Sequence, residues 1–193
     1  MSAIIETPRA EIGSVPVGAV PAYTVTARVL HWITAAAILL MLPLGWASAN
    51  EWGGSWQDWL YNLHRSIGAA LIPIVLVRVI YRITHPPLPL PEAIPPLQRL
   101  AAAGTHGALY ALLLAQPVIG WIATSAYPAP IPVFGLFELP PLWGANRPLS
   151  DRLFSLHAAF GIAIAIVVAL HVAAACHHHF VRKDRVLLRM ITG

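Results

Sequence analysis

Apolar positions run along this chain in four long blocks, each bounded by charge or proline. Residues 29–50, VLHWITAAAILLMLPLGWASAN, lie between Arg28 and Glu51 and contain no charged side chain. A bilayer-spanning helix needs about 20 apolar residues, so this block predicts a first crossing. Residues 61–84 predict a second, with Arg65, Arg78 and Arg82 set into an apolar background. Residues 100–126 predict a third, kinked at Pro117, and residues 153–180 a fourth.

The connections differ in kind. Residues 84–96, THPPLPLPEAIPP, are too proline-rich to continue a helix and predict a stiff, extended path. Residues 127–152 are rich in proline and aromatics without a spanning pattern, and predict a cap lying at the interface over one end of the bundle. The first 26 residues carry Glu6, Arg9 and Glu11 and no apolar core before a small-residue cleavage site, so they read as a cytoplasmic N-terminal extension rather than a signal peptide. Residues 27–193 then form one transmembrane domain, and the fold class is an all-α membrane protein.

Composition agrees with that pattern. Hydrophobic residues make up 58% of the 193 and charged residues only 10%, where soluble domains carry about 25% charged. The net charge of +4 is no nucleic-acid footprint, because the Lys and Arg sit at the ends of apolar blocks and no basic patch is interleaved with stacking aromatics. Arg65, Arg147 and Arg152 fall on one side of the predicted membrane and the other Lys and Arg on the opposite side. The positive-inside rule then puts both termini of this multi-pass chain in the cytoplasm. The tryptophans fall mostly near span ends, as an aromatic belt does.

Histidines are the polar groups that the spans retain. Ionisable side chains in a span are costly and mark ion, proton or cofactor sites inside the bundle. With the predicted topology, His31 and His171 share the cytoplasmic depth, while His64 and His157 share the periplasmic one. His157 and His171 lie fourteen residues apart. That is close to four turns, so both rings leave one face of the fourth helix about 21 Å apart. Two pairs at two depths predict two bis-histidine cofactors stacked across the bilayer.

A flat macrocycle held edge-on to a helix needs a small residue about one turn from its ligand, where Gly and Ala permit close approach. Ala35, Gly68, Gly161 and Ala175 stand four residues after His31, His64, His157 and His171, whereas His106 is followed at that spacing by Tyr110. The competing reading makes these satisfied structural histidines. Two axial imidazoles fill both open positions of a haem iron and suit electron transfer. Cys176, the single cysteine, excludes the C-x-x-C-H attachment motif, a disulfide framework and a Cys-rich zinc site, so the haem is expected to be b-type.

Haem propionates need cationic partners. Arg78 lies fourteen residues from His64, on the same face of the second helix but at the cytoplasmic depth. Arg28, Arg82 and His106 are further candidates there, and Arg65 or Arg152 on the periplasmic side. For Arg28 and Arg82, snorkelling at the interface is an equal reading. His177, His178 and His179 resemble a metal-binding tract, but read better as the polar end of the fourth helix.

The segments VLHWITA, LHRSIG, VRVIYRI, AGTHGALYALL, QPVIGW, SLHAAFG, ALHVAAACHHHF and RKDRVLLRM resemble, in order, those of the bacterial cytochrome b561 family. The resemblance covers residues from about 27 onward. It implies a four-helix bundle enclosing two haem b groups and exchanging electrons with a quinone such as ubiquinone, with His31 and His171, and His64 and His157, as axial ligands. The electron partner across the quinone is superoxide in some members and a periplasmic redox protein in others. The alternatives are a cytochrome subunit of a larger membrane complex and, from another class, a transition-metal transporter using membrane histidines.

Overall fold

The computed structural model describes residues 22–50, 52–86, 89–90 and 94–192. The N-terminal extension up to residue 21, with Arg9, and parts of the proline-rich connection lie outside the described residues. Four long helices form the bundle: α1 (Val25–Ala49), α2 (Gly54–Thr84), α3 (Pro96–Ala126) and α4 (Arg147–Cys176). All four are long and apolar enough to cross a membrane.

The starts of the helices follow local chemistry. The Thr24 hydroxyl caps α1 by accepting the Ala27 N–H at 3.2 Å, and the Asn146 side chain caps α4 by accepting the Leu149 N–H at 3.1 Å. Such caps satisfy donors that the first helical turn leaves without partners. A proline in the first turn of α3 and of α4 supplies a fixed φ where its missing N–H costs nothing.

All four helices begin earlier than their apolar blocks predict, α1 at Val25 rather than 29. α2 starts at Gly54 rather than 61, α3 at Pro96 rather than 100, and α4 at Arg147 rather than 153. With 31 residues, α2 and α3 are each roughly 46 Å long, against a hydrocarbon core of about 30 Å. Hydropathy marks only the part in lipid, and the polar and aromatic ends continue as helix into the interface. Trp56 and Trp59 on the projecting start of α2 are exposed and stacked on each other at 4.9 Å.

The 127–152 connection also gains structure beyond the expected cap. A two-stranded antiparallel hairpin pairs β1 (Pro132–Val133) with β2 (Phe137–Glu138), in the register Val133 to Phe137. At its tip Phe134 (φ 51°) and Gly135 (φ 71°) take left-handed conformations, closed by the Leu136 N–H on the Val133 carbonyl at 2.9 Å. This backbone twist matches that of a tight hairpin. Ile131 and Val133 are buried inward, whereas Phe134, Leu136 and Phe137 face outward. Ser66 of α2 anchors the turn, its hydroxyl donating to the Pro132 carbonyl and accepting from the Phe134 N–H, each at 2.9 Å.

At the opposite end, α4 widens into a π turn (His177–Val181) and the chain returns through α5 (Leu188–Ile191). Tyr23 N–H donates to the Arg189 carbonyl at 3.1 Å, and the Trp32 indole donates to the Met190 carbonyl at 3.0 Å. Arg189 reaches the Pro89 carbonyl at 2.7 Å. The start of α1 and the C-terminal segment therefore share one end of the bundle. Within this return His178 pairs with Asp184. Burial alone would raise the Asp184 carboxyl, but hydrogen bonds from His178, the Val186 N–H and Arg182 hold it below the ordinary carboxylate range.

Between the two ends, Ile38, Leu71, Val75 and Ile164 form the buried apolar centre, with Met41, Ile67 and Val168 packed around it. Ile164 stands midway between His157 and His171 on α4, so this plug lies between the two histidine levels.

Candidate functional site

The four histidines meet in two pairs. His31 of α1 and His171 of α4 face each other with ring centroids 6.3 Å apart and planes at 63°. His64 of α2 and His157 of α4 do the same at 6.0 Å and 76°. Two imidazoles on opposite sides of one metal, with bonds of about 2 Å and about 1 Å more to each ring centre, place their centroids about 6 Å apart. Both pairs have that spacing, which fits a shared iron better than a direct histidine–histidine hydrogen bond, and neither pair has such a bond among the described residues.

The rings are seated differently. Arg78 Nη2 lies 2.9 Å from His31 Nδ1. Its guanidinium also lies 5.7 Å from the Tyr110 ring centroid, and its Nη1 is buried without a hydrogen-bond partner. A buried cation with a free donor is an open place for an anionic group such as a propionate. His106 stands edge-on to His171 at 5.3 Å, and with Thr34, Ala35 and Tyr110 it lines the cavity between His31 and His171. His106, which fails the small-residue test, thus still borders this pair.

Arg28 takes a different place. Its Nη1 donates to the Ile191 carbonyl at 3.3 Å, and it lines a separate groove with Val29, Trp32 and Met190. Arg82 lies in the last turn of α2, one turn beyond Arg78. Arg65 points to the hairpin, donating to the Pro130 carbonyl at 3.1 Å, while Arg152 lies exposed near the start of α4.

At the second pair, His157 Nδ1 lies 3.1 Å from the Gln116 carbonyl oxygen. His64 Nδ1 is buried with no partner. Gly68 and Gly161 are expected to clear a macrocycle; the glycines that touch the rings themselves lie on neighbouring helices. A Cβ on Gly68 would meet Met41 at 3.7 Å, and one on Gly161 would meet Gln116 at 3.6 Å. A Cβ on Gly45 of α1 would instead lie 3.2 Å from His64 Cε1, and one on Gly120 of α3 only 3.0 Å from His157 Cε1. Gly45, Gln116 and Gly120 are therefore site residues that sequence reasoning missed. The available signal was the proline followed by Gly-Trp in both helices, Pro43–Gly45–Trp46 and Pro117–Gly120–Trp121.

The residues fit a haem: paired imidazoles at metal-sharing distance, glycine clearance at the rings and a buried cation lacking an anion. Among the described residues no group of three or more His, Cys, Asp or Glu is placed to hold a metal ion.

Residues 22–193 match the family model described as prokaryotic cytochrome b561. Cytochrome b561 homolog 2 of Escherichia coli K12 is 34% identical over 88% of this chain and 90% of its own length. The probable superoxide oxidase CybB of Yersinia pestis is 32% identical over 84% of this chain and 91% of its own. Cytochrome b562 of Cereibacter sphaeroides is 28% identical over 89% and 96%. The chain belongs to the prokaryotic cytochrome b561 family, and is a bacterial four-helix membrane cytochrome of electron transport whose cofactor is haem b.

Proposed function

We propose that this chain holds two haem b groups, one between His31 and His171 and one between His64 and His157, and carries electrons between a periplasmic partner and the quinone pool. The observation that carries this reading is the recurrence of one ring spacing, 6.3 and 6.0 Å, at two levels of α4. When bound, each haem would supply a one-electron iron centre, which the two histidines of its pair would hold.

The chain's own residues do the rest. Each histidine offers a nitrogen lone pair to the metal, and the surrounding helices fix the ring directions. Arg78 meets the negative charge of a propionate at the His31–His171 level, with His106 and Arg82 beside it. Residues 27–193 act as one unit, with the residues before them a cytoplasmic extension. The basic residues clustered toward the termini support placing both termini in the cytoplasm, which puts the hairpin and the His64–His157 pair on the periplasmic side.

For the outer partner, likeness to a probable superoxide oxidase favours superoxide. Two superoxide anions would then lose one electron each, leaving two dioxygen molecules, and one quinone would take two electrons and two protons to become quinol. Stopped-flow mixing of the purified protein with superoxide and with quinol tests this reading. Reduction by superoxide followed by oxidation with ubiquinone is expected. A preparation without two b haems per chain by pyridine haemochrome sinks the di-haem reading, and haem unreactive to superoxide moves the donor to a periplasmic redox protein.

A further inference from the structure

Resting on the reading of His157 as an axial ligand, we infer that α3, which contributes no ligand at that level, positions His157 through Gln116 and Gly120. The Gln116 backbone carbonyl can only accept, so its 3.1 Å contact puts the ring proton on His157 Nδ1 and leaves the Nε2 lone pair free. An imidazole ligand that donates its second N–H in this way is fixed in tautomer and direction, and is a stronger base toward the metal.

Gln116 also holds the main chain of the same residue. Its side-chain Nε2 donates to the His157 carbonyl oxygen at 2.9 Å. Ring and backbone of His157 are thus gripped from a single position on α3. The side-chain Oε1 of Gln116 remains buried and unpartnered, so the amide stays in place for its donor rather than for a saturated network.

Gly120, one turn further along α3, keeps the ring where Gln116 can reach it. A Cβ there would stand 3.0 Å from His157 Cε1 and 3.2 Å from Nδ1. Contacts that short force the ring to move away from α3, which breaks the Nδ1 hydrogen bond. His64 has a glycine neighbour in Gly45 but no acceptor for Nδ1. The two imidazoles of this pair are therefore unequal, and α3 controls only one of them.

The test uses full-length Gly120→Ala, Gln116→Leu, Gln116→Met and His157→Ala, purified from haem-replete cells. Two readouts apply: the rate of haem transfer to apomyoglobin, and low-temperature EPR, whose low-field signals respond to the orientation of the axial rings. Gly120→Ala, Gln116→Leu and Gln116→Met should each release one of the two haems about 10-fold faster or more, with the EPR signal of that haem shifted. The signal of the other haem should stay unchanged, showing that the bundle has folded. Wild-type release and EPR in Gln116→Met, which keeps the volume and the backbone carbonyl but not the side-chain donor, would overturn the role of the side-chain hydrogen bond. Wild-type behaviour in Gly120→Ala would overturn the clearance role. If His157→Ala keeps both haems, the ligand reading itself fails, an outcome distinct from either.

Discussion

His64 and His157 reach each other from α2 and α4, and their ring planes stand 76° apart with centroids separated by 6.0 Å. On the proposed ligation, either ring alone would leave one axial position empty. His64→Ala and His157→Ala should therefore lose the same haem, and His31→Ala and His171→Ala the other. Haem content by pyridine haemochrome should fall from two to one per chain in each variant, and redox titration should show which component has gone. Loss of a common haem from His157→Ala and His171→Ala would contradict the pairing.

Arg78 places positive charge beside His31, with no carboxylate paired to it among the described residues. A nearby cation favours the reduced, less positive iron. Arg78→Leu should lower the midpoint potential of the haem at that level by an amount on the order of tens of millivolts. Arg78→Lys should recover most of the shift while losing the planar donor geometry. Potentiometric titration of both variants checks the sign, and an upward shift in Arg78→Leu contradicts it.

Ser66 holds the hairpin with one hydroxyl that both donates and accepts. Ser66→Ala leaves the Phe134 N–H and the Pro132 carbonyl without that partner, at a cost of about 1–3 kcal/mol. The variant should melt at lower temperature in detergent and be cleaved faster by protease within residues 127–146. Both haems should remain before heating, since Ser66 touches neither ring pair among the described residues.

Asp184 gives the C-terminal return its pH dependence. Its folded pKa is depressed, so its contribution is complete above the unfolded value of about 3.9 and is lost as pH falls through the lower folded value. At neutral pH, Asp184→Asn should speed amide exchange in residues 182–192. The difference from wild type should vanish once acid has protonated the carboxylate. A difference that persists in acid would mean that the side chain acts without its charge.

Much of this architecture is legible in the sequence because a membrane simplifies the pattern. Lipid demands unbroken apolar helices, so α1 to α4 stand out, and the fourteen-residue interval from His157 to His171 converts directly into two levels on one face. The helix starts at Gly54 and Arg147 escape, because beyond the bilayer edge hydropathy no longer reports on helix. The hairpin escapes for another reason: strands of two residues carry no alternation, and a left-handed Phe134 has no propensity signal. Gly45 and Gly120 are missed because clearance depends on the neighbouring helix, and one sequence does not say which helices touch. The same limit hides the path that takes Met190 back to Trp32.

The side chains of Ile38, Leu71, Val75 and Ile164, which form the buried centre between the two histidine levels, carry no hydrogen-bonding group. Electrons cross such a barrier by tunnelling, whereas protons need a chain of donors and acceptors, which these four side chains do not supply. On the proposed di-haem reading, transfer between the levels would be electrogenic: charge would move through the low-dielectric layer without a compensating proton. Crossing the full membrane potential is worth about 2.3 kcal/mol per 100 mV for each elementary charge, so the voltage across the membrane itself becomes a brake or a drive on the reaction, according to its direction.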